Sequence, residues 1–313
     1  MTLSDLAVGA KVTRAGFTIA QAIAARVGRF RRDRRQIHHA RHLIGINSNQ
    51  LFNYRVAMQH PMQIPGTPHP DDAYAFVSVA SEDACRAMEL KNFRVEETLP
   101  ADLDDGYVLI GSPEAELLTA VMFGYERKPP DGGMKYLGST IDLPYRWDED
   151  RSNVVATCSR LVPGQGRVTR PNWPIVDNTG TRTSRLYPVV QNNGLLHTDL
   201  LLITKVPNYL SATALQSGRT VVSIAGAHGT GTRAVEVLLR DRRCMREIAE
   251  RVKTDAQAFQ ILVEVGNVNH HPLNGSVASS VQIRDVRCFS RSNSEWERAG
   301  IWASKALQSM KDA

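Results

Sequence analysis

Apolar residues recur every three or four positions through the first 44 residues, among them Leu6, Phe17 and Ile23, and no proline interrupts them. This spacing is typical of an amphipathic helix. Seven arginines and a single acid, Asp33, fall between residues 26 and 41, so the second half of the helix is polar on nearly all sides. The pattern predicts a basic helical arm over residues 1–45.

Four prolines between residues 60 and 70 disfavour both helix and central strand, which predicts a linker over residues 46–72. Beyond it, short apolar runs alternate with helical patterns, and residues 260–265 and 281–284 are typical of a closing antiparallel strand pair. The predicted strands before that pair are 74–79, 107–110, 187–190, 200–204 and 220–224, and the predicted helices are 82–90, 114–123, 232–252 with a break near 241, and one from Ser294 onward.

This alternation predicts an α/β domain over residues 73–313 with a Rossmann-like, mostly parallel sheet flanked by helices. Turn clusters replace the regular pattern at about residues 127–184, where an irregular insertion is expected. Loops of that length usually cover or build a site.

The net charge of +6 equals the charge of the arginine-rich segment alone, so the remainder of the chain is close to neutral. That distribution disfavours a uniformly basic protein that coats nucleic acid, and it indicates a local basic arm. The arm is a candidate for binding nucleic acid or an anionic membrane. Its candidate contact residues are Arg29, Arg31, Arg32, Arg34 and Arg35.

No apolar run is long enough to span a membrane, and Lys11 and Arg14 interrupt any secretory signal, so the expectation is a cytoplasmic protein. The four cysteines stand far apart without Cys-x-x-Cys pairs or histidines at ligand spacing, which predicts reduced thiols and no metal site. Nothing in the sequence indicates a bound cofactor. The adjacent His270 and His271 are interpreted as part of a surface loop.

The strongest local signal is an apolar strand that ends at Gly226 and passes through a turn rich in glycine and threonine into a helix. Backbone amides at such a turn approach ligands closely, and the helix dipole favours an anion. A tight turn needed only for packing is the alternative. The candidate ligand-binding residues here are Gly226, His228, Gly229, Thr230, Gly231, Thr232 and Arg233.

Two further turns extend this candidate site. Gly111 and Ser112 follow the strand at 107–110, with Glu114 in the next helical stretch, although Ser112 also suits a helix cap. Asn208 follows the strand at 200–204. If the strands are parallel neighbours, all of these turns open at the same edge of the sheet, where open α/β folds bind ligands.

The run Ala227-His228-Gly229-Thr230-Gly231-Thr232-Arg233 resembles the turn of CARF-like domains, which are Rossmann-like sensors of cyclic or linear oligonucleotides in bacterial defence systems. That turn usually reads Thr-Gly-Gly-Thr-Lys; here the second glycine is displaced and arginine replaces lysine. The resemblance implies a nucleotide-sensing, dimerising regulatory domain. No nuclease or protease module is recognised in the chain.

Three functions follow as hypotheses. The first is a ligand-sensing or regulatory protein that binds a nucleotide or another phosphorylated small molecule at the glycine turns. The second is a nucleotide hydrolase or glycosyl-transferring enzyme with Glu114 or Glu116 as its carboxylate; the nucleophile elbow of an α/β-hydrolase is absent from the sequence. The third gives the leading role to the arginine-rich arm.

Overall fold

A computed structural model describes residues 33–44, 54–57, 70–81, 93–94, 103–128, 133–136, 141–158, 167–180, 183–253, 255–271 and 275–311. The predicted helix at 82–90 and Arg29, Arg31 and Arg32 of the arm lie outside these residues. Within the described ranges, none of the helices has the length and apolar character needed to cross a membrane.

The described strands and helices are numbered here in chain order. The strands are β1 (Tyr54–Ala57), β2 (Phe93–Arg94), β3 (Gly106–Ile110), β4 (Tyr125–Lys128), β5 (Gly133–Tyr136), β6 (Tyr145–Trp147), β7 (Asp150–Thr157), β8 (Val168–Asn172), β9 (Ile175–Asp177), β10 (Ser184–Leu186), β11 (Val189–Val190), β12 (Leu196–Pro207), β13 (Thr220–Gly226), β14 (Ala258–Gly266), β15 (Asn269–His271), β16 (Gly275–Val277) and β17 (Ser280–Phe289). The helices are α1 (residues 33–43), α2 (Pro70–Ser81), α3 (Leu117–Met122), α4 (Ala212–Gln216), α5 (Gly229–Arg233), α6 (Val235–Arg240), α7 (Arg242–Arg251) and α8 (Asn293–Lys311).

The central sheet has the order β17-β14-β12-β13-β3-β1-β2, with β11 beside the first residues of β12. Its longest ladders, β13–β12, β12–β14 and β14–β17, are antiparallel, and only short ladders join β13, β3, β1 and β2 in parallel. The expectation of a Rossmann-like, mostly parallel sheet is therefore wrong. The predicted closing antiparallel pair is confirmed as β14 and β17.

Burial on both faces explains why the sequence suggested parallel strands. In β12, Leu201 and Ile203 point into one core, while Leu200 and Leu202 point into a second core on the opposite face. Near-continuous apolar runs signal that both faces are covered, which is typical of parallel sheets. Here an antiparallel sheet is covered on both faces, so the runs indicate burial and carry no information on strand direction.

The first face of the sheet is covered by α1, α2, α6 and α7, and the second by α3, α8 and strands β4, β6 and β9. Strand β6 is attached to the sheet by Gln260, whose amide exchanges two hydrogen bonds with the backbone of Tyr145 (2.7 and 2.9 Å) and donates to Thr204 Oγ1 (3.0 Å). The buried Gln260 side chain thus pairs with β6 as a neighbouring strand would. Within the described part of the predicted insertion at 127–184, short hairpins replace the regular α/β order.

The C-terminal part of the predicted arm is docked on the protein body. Ala40, Leu43 and Ile44 are buried in the core of the first face. Lys205 of β12 donates from Nζ to the carbonyl oxygen of Leu43 (3.0 Å), a favourable place for a cation because the helix ends there. Burial lowers the pKa of Lys205. Arg34 and Arg35 remain exposed on the outer side.

Two local predictions need correction. Residues 74–79 were predicted to be a strand but belong to helix α2, in which Pro70 occupies the first turn and Ala75 and Val79, four residues apart, face the core. The last helix, predicted to begin at Ser294, begins at Asn293, and its capping box is formed by Ser292 and Glu295, because Glu295 N donates to Ser292 Oγ and Ser292 N donates to Glu295 Oε2.

Candidate functional site

The two glycine turns lie on the same edge of the sheet, named here the Gly111–Gly226 rim. Strands β3 and β13 are parallel neighbours with Ile110 opposite Ile224, and Gly111 N donates to Ile224 O (3.0 Å). Gly111 has a φ of +127°, a backbone conformation that residues other than glycine rarely adopt. The turns after β3 and β13 are therefore neighbours at one edge of the sheet, as the sequence predicts.

Asn208 lies at the opposite edge because β12 runs antiparallel to β13. Its side chain is buried and donates from Nδ2 to the carbonyl oxygens of Leu103 (2.8 Å) and Asp105 (2.6 Å), while its Oδ1 accepts from Leu210 N (3.1 Å). The expectation that Asn208 joins the other turns is wrong. The residue ties the loop before β3 to the loop after β12.

The glycines after β13 permit very close packing. A Cβ at Gly226 would lie 2.5 Å from His228 O, and Gly226 N donates to Thr232 Oγ1 (2.9 Å), so the turn folds back on its own strand. A Cβ at Gly231 would collide with the backbone of β12. Packing thus accounts for Gly226 and Gly231, as the alternative interpretation of the turn proposed.

A buried carboxylate accepts one amide of this turn. Asp199 of β12 is fully buried; its Oδ2 accepts from Gly231 N (2.7 Å) and its Oδ1 accepts from Leu200 N (2.9 Å). The turn therefore holds a carboxylate, and that carboxylate is a side chain of the protein rather than the external anion that the sequence suggested. Sequence reasoning missed Asp199, although an acid placed directly before the apolar run 200–203 was a signal of a buried, specifically paired charge.

His228 completes this arrangement. Its Nδ1 lies 3.2 Å from Asp199 Oδ1, and since an ionised carboxylate only accepts hydrogen bonds, Nδ1 carries the proton. In the neutral imidazole the Nε2 atom of His228 is then an acceptor; this atom is buried and has no hydrogen-bond partner in the described part of the chain. An oriented imidazole with a bare Nε2 is the arrangement of a general base.

Arg233, at the end of α5, faces α2. Its guanidinium lies 4.3 Å from the ring centroid of Tyr74, and its Nε is 4.0 Å from Glu236 Oε2, beyond hydrogen-bond distance. The side chain is only 14% exposed, and among the described residues its Nε and Nη1 have no hydrogen-bond acceptor. A buried cationic donor without an acceptor is rare in folded proteins and calls for an explanation.

The Gly111 side of the rim is acidic. Burial, and then the nearby carboxylates of Asp71 and Glu116, raise the pKa of Asp72 well above its ordinary value. Asp72 Oδ2 lies 3.4 Å from the position that a Cβ on Gly111 would take. The rim therefore holds a carboxyl group whose charged form is disfavoured by burial and by the neighbouring carboxylates.

The side chains predicted around Gly111 have local roles in the backbone. Ser112 accepts the amides of residues 115 and 116 through its carbonyl oxygen, and the buried Glu116 caps α3 by accepting from Thr119 N. Glu114 lies in the turn between them. The carboxylate of Glu116, one of the two considered for catalysis, thus has a helix-capping role.

The two remaining residues of the predicted turn lie beside a hairpin. Thr230 Oγ1 is 3.5 Å from Ser276 O, and Gly229 begins α5. His270, which was assigned to a surface loop, is fixed in the hairpin β15–β16: its Nε2 donates to Leu196 O (2.7 Å) and its Nδ1 accepts from Ser276 Oγ (2.7 Å). No group of three metal-ligating side chains occurs among the residues that the structure describes.

No protein-family model, curated protein or solved structure matches this chain.

Proposed function

We propose that the protein binds a small anionic ligand, such as a nucleotide or another phosphorylated compound, at the Gly111–Gly226 rim. The observation that carries the proposal is the guanidinium of Arg233, which is largely buried with two nitrogens that lack acceptors. A ligand phosphate or carboxylate is the group that best fits such donors.

The energetics favour an external acceptor. A hydrogen bond to a charged group contributes about 1.5–3 kcal/mol, and an unsatisfied buried donor costs a similar amount. Glu236 is too distant to satisfy Arg233 and forms a closer ion pair with Arg240 (2.9 Å). An anion beside Arg233 would restore the missing hydrogen bonds.

The geometry also limits where a phosphate sits. Because Asp199 holds Gly231 N, that amide is not available to a ligand anion, and binding depends on Arg233 at the outer end of the turn. Tyr74 is 46% exposed and lies against the same guanidinium, so its ring is a platform for a flat group such as a base. These two features together favour a nucleotide over inorganic phosphate.

Titration calorimetry with the full chain tests the proposal. The probes are inorganic phosphate, pyrophosphate, adenine and guanine mononucleotides, and cyclic and linear oligonucleotides, the last group because of the CARF-like turn. Arg233→Met is expected to weaken binding at least tenfold, since a charge-assisted hydrogen bond of about 1.4 kcal/mol or more is lost. Arg219→Met, at an exposed arginine beyond the rim, is the matched control.

Two outcomes would remove the proposal. One is that no phosphate-bearing probe binds the wild-type chain. The other is that Arg233→Met and Arg219→Met bind a probe with the same affinity as wild type, which would place the ligand elsewhere. A thermal-unfolding measurement on each variant verifies that the fold is retained.

A second candidate function is an enzyme that acts on the bound nucleotide, with His228 as its base. The observation in its favour is the bare Nε2 of His228 next to the buried Asp199. Turnover of a nucleotide panel by wild type, followed by loss of turnover but not of binding in His228→Gln, would favour the enzyme. Binding without turnover by wild type would favour the sensor.

A further inference from the structure

Helices α1 and α7 lie side by side and run in the same direction. Arg246 Nη1 of α7 is 3.3 Å from Asp33 Oδ2, and one turn later Gln36 Nε2 donates to Glu250 Oε1 (3.4 Å). These two contacts set the register of the helix pair. They bring the first turn of α7 and the first described residues of α1, both of which contain arginines, onto one surface.

Exposed arginines follow directly from this register. Arg34 and Arg35 come next after Asp33, and Arg242 and Arg243 precede Arg246 by about one helical turn. All four side chains are exposed, and none of them has an ion pair within the described residues. We name this surface the α1/α7 arginine face.

The acids near the α1/α7 arginine face already have partners. Asp33 pairs with Arg246, Glu247 with Arg251 (2.9 Å), and Glu236 with Arg240. Asp241 caps α7 by accepting from the amides of residues 243 and 244 (2.8 and 3.0 Å). Asp241 and Glu250 have no cationic partner among the residues that the structure describes, so the four exposed arginines and these two carboxylates leave a net positive charge of about two on one side of the molecule, where a chain of regularly spaced anions fits.

The apolar side of α1 distinguishes between two polyanionic partners for this face, a nucleic acid and an anionic membrane. A helix that lies in a membrane interface inserts apolar side chains into the lipid. Here Ala40, Leu43 and Ile44 are already buried in the protein core, and none of the large hydrophobic side chains exposed among the described residues belongs to α1 or α7. A membrane surface is therefore disfavoured.

We propose that the α1/α7 arginine face binds the sugar-phosphate backbone of a nucleic acid, without reading its bases. The charge of the four arginines is complementary to successive phosphates, and arginine forms paired hydrogen bonds to phosphate oxygens. The arginines of this face are different residues from Arg233 at the rim. It extends the predicted role of the N-terminal arm to α7, whose arginines the sequence did not connect with it.

Fluorescence anisotropy with labelled 20-nucleotide single-stranded and 20-base-pair DNA, at 50 to 200 mM NaCl, tests the proposal on the full chain. The variants are Arg34→Gln/Arg35→Gln and Arg242→Gln/Arg243→Gln, and the matched control is Arg298→Gln/Lys305→Gln on the exposed side of α8. Each surface pair is expected to weaken binding at least tenfold at 100 mM salt. Each should also reduce the slope of log affinity against log salt by about 1.5–2 for the duplex, because two phosphate contacts are lost.

The outcomes separate the proposal from its rivals. Weaker DNA binding by both arginine-pair variants, with unchanged binding by the control variant, supports the proposal. An effect of Arg34→Gln/Arg35→Gln alone overturns the shared face, because α7 then makes no contact. Equal binding of poly-glutamate overturns nucleic-acid recognition, and retention by phosphatidylserine vesicles without DNA binding replaces it with a membrane role. Absence of DNA binding by wild type at 50 mM salt overturns it outright.

Discussion

Replacing Asp199 by asparagine is expected to lower the free energy of unfolding by about 3 kcal/mol or more. The carboxylate is fully buried and accepts three hydrogen bonds, from Leu200 N, Gly231 N and His228 Nδ1. Asparagine keeps one oxygen, while its amide group presents hydrogens toward a donor. Even with the asparagine oxygen at the Oδ1 position, the hydrogen bond from Gly231 N is lost and the other two lose their charge assistance; a charge-assisted hydrogen bond contributes about 1.5–3 kcal/mol and a neutral one about 0.5–1.5 kcal/mol.

Urea denaturation followed by tryptophan fluorescence measures this loss, since Trp147, Trp173 and Trp296 are buried. The midpoint should fall while the dependence on urea stays constant, because the surface exposed on unfolding is unchanged. Asp255→Asn, at an exposed position, is the control and should differ from wild type by less than about 0.5 kcal/mol. A loss below about 1 kcal/mol in Asp199→Asn would refute the view that this carboxylate anchors the turn.

Three further predictions concern stability. Gly231→Ala should destabilise by about 2 kcal/mol, more than Gly218→Ala, whose φ of +66° is strained but whose Cβ would meet no atom; equal losses in denaturation would contradict the close-packing account. Gln260→Leu should cost about 2–4 kcal/mol because the Tyr145 backbone loses both partners, and a smaller loss in thermal unfolding would show that β6 is held by other contacts. Asp72→Asn should gain stability relative to wild type as pH rises above about 4. The pKa of Asp72 is higher in the folded than in the unfolded state, so the folded wild-type protein loses stability as the pH rises and this carboxyl ionises, whereas asparagine does not ionise. A difference between Asp72→Asn and wild type that stays constant from pH 4.5 to 8 would contradict the raised pKa.

For most strands and helices in the C-terminal half, the sequence predicted the presence of the element more reliably than the direction in which a strand runs. The apolar run at 220–224 and the break near Asp241 correspond to β13 and to the junction of α6 and α7, since both depend on local patterning and capping. Strand order depends on which distant segments cover each face. Gln260 shows this, because its contact with Tyr145 joins residues 115 positions apart.

The candidate site was predictable in part for the same reason. Gly111 and Gly226 meet because parallel strands end at one edge, an inference that the sequence permits. Asp199 was missed because its partner turn begins 27 residues later, and Tyr74 was missed because the pattern at residues 74–79 predicts a strand. Helix α2 brings Tyr74 to Arg233, and only the tertiary fold shows this contact.

The first four residues of β12 hold two loops at once. Leu196 receives the hydrogen bond from His270 that fixes the hairpin β15–β16, and Asp199, three residues later, holds Gly231 in the turn. A small slip of this strand along β14 would have to release both. The hairpin and the turn are thus coupled as one mechanical unit, and their amides should exchange with solvent deuterium in the same cooperative opening event.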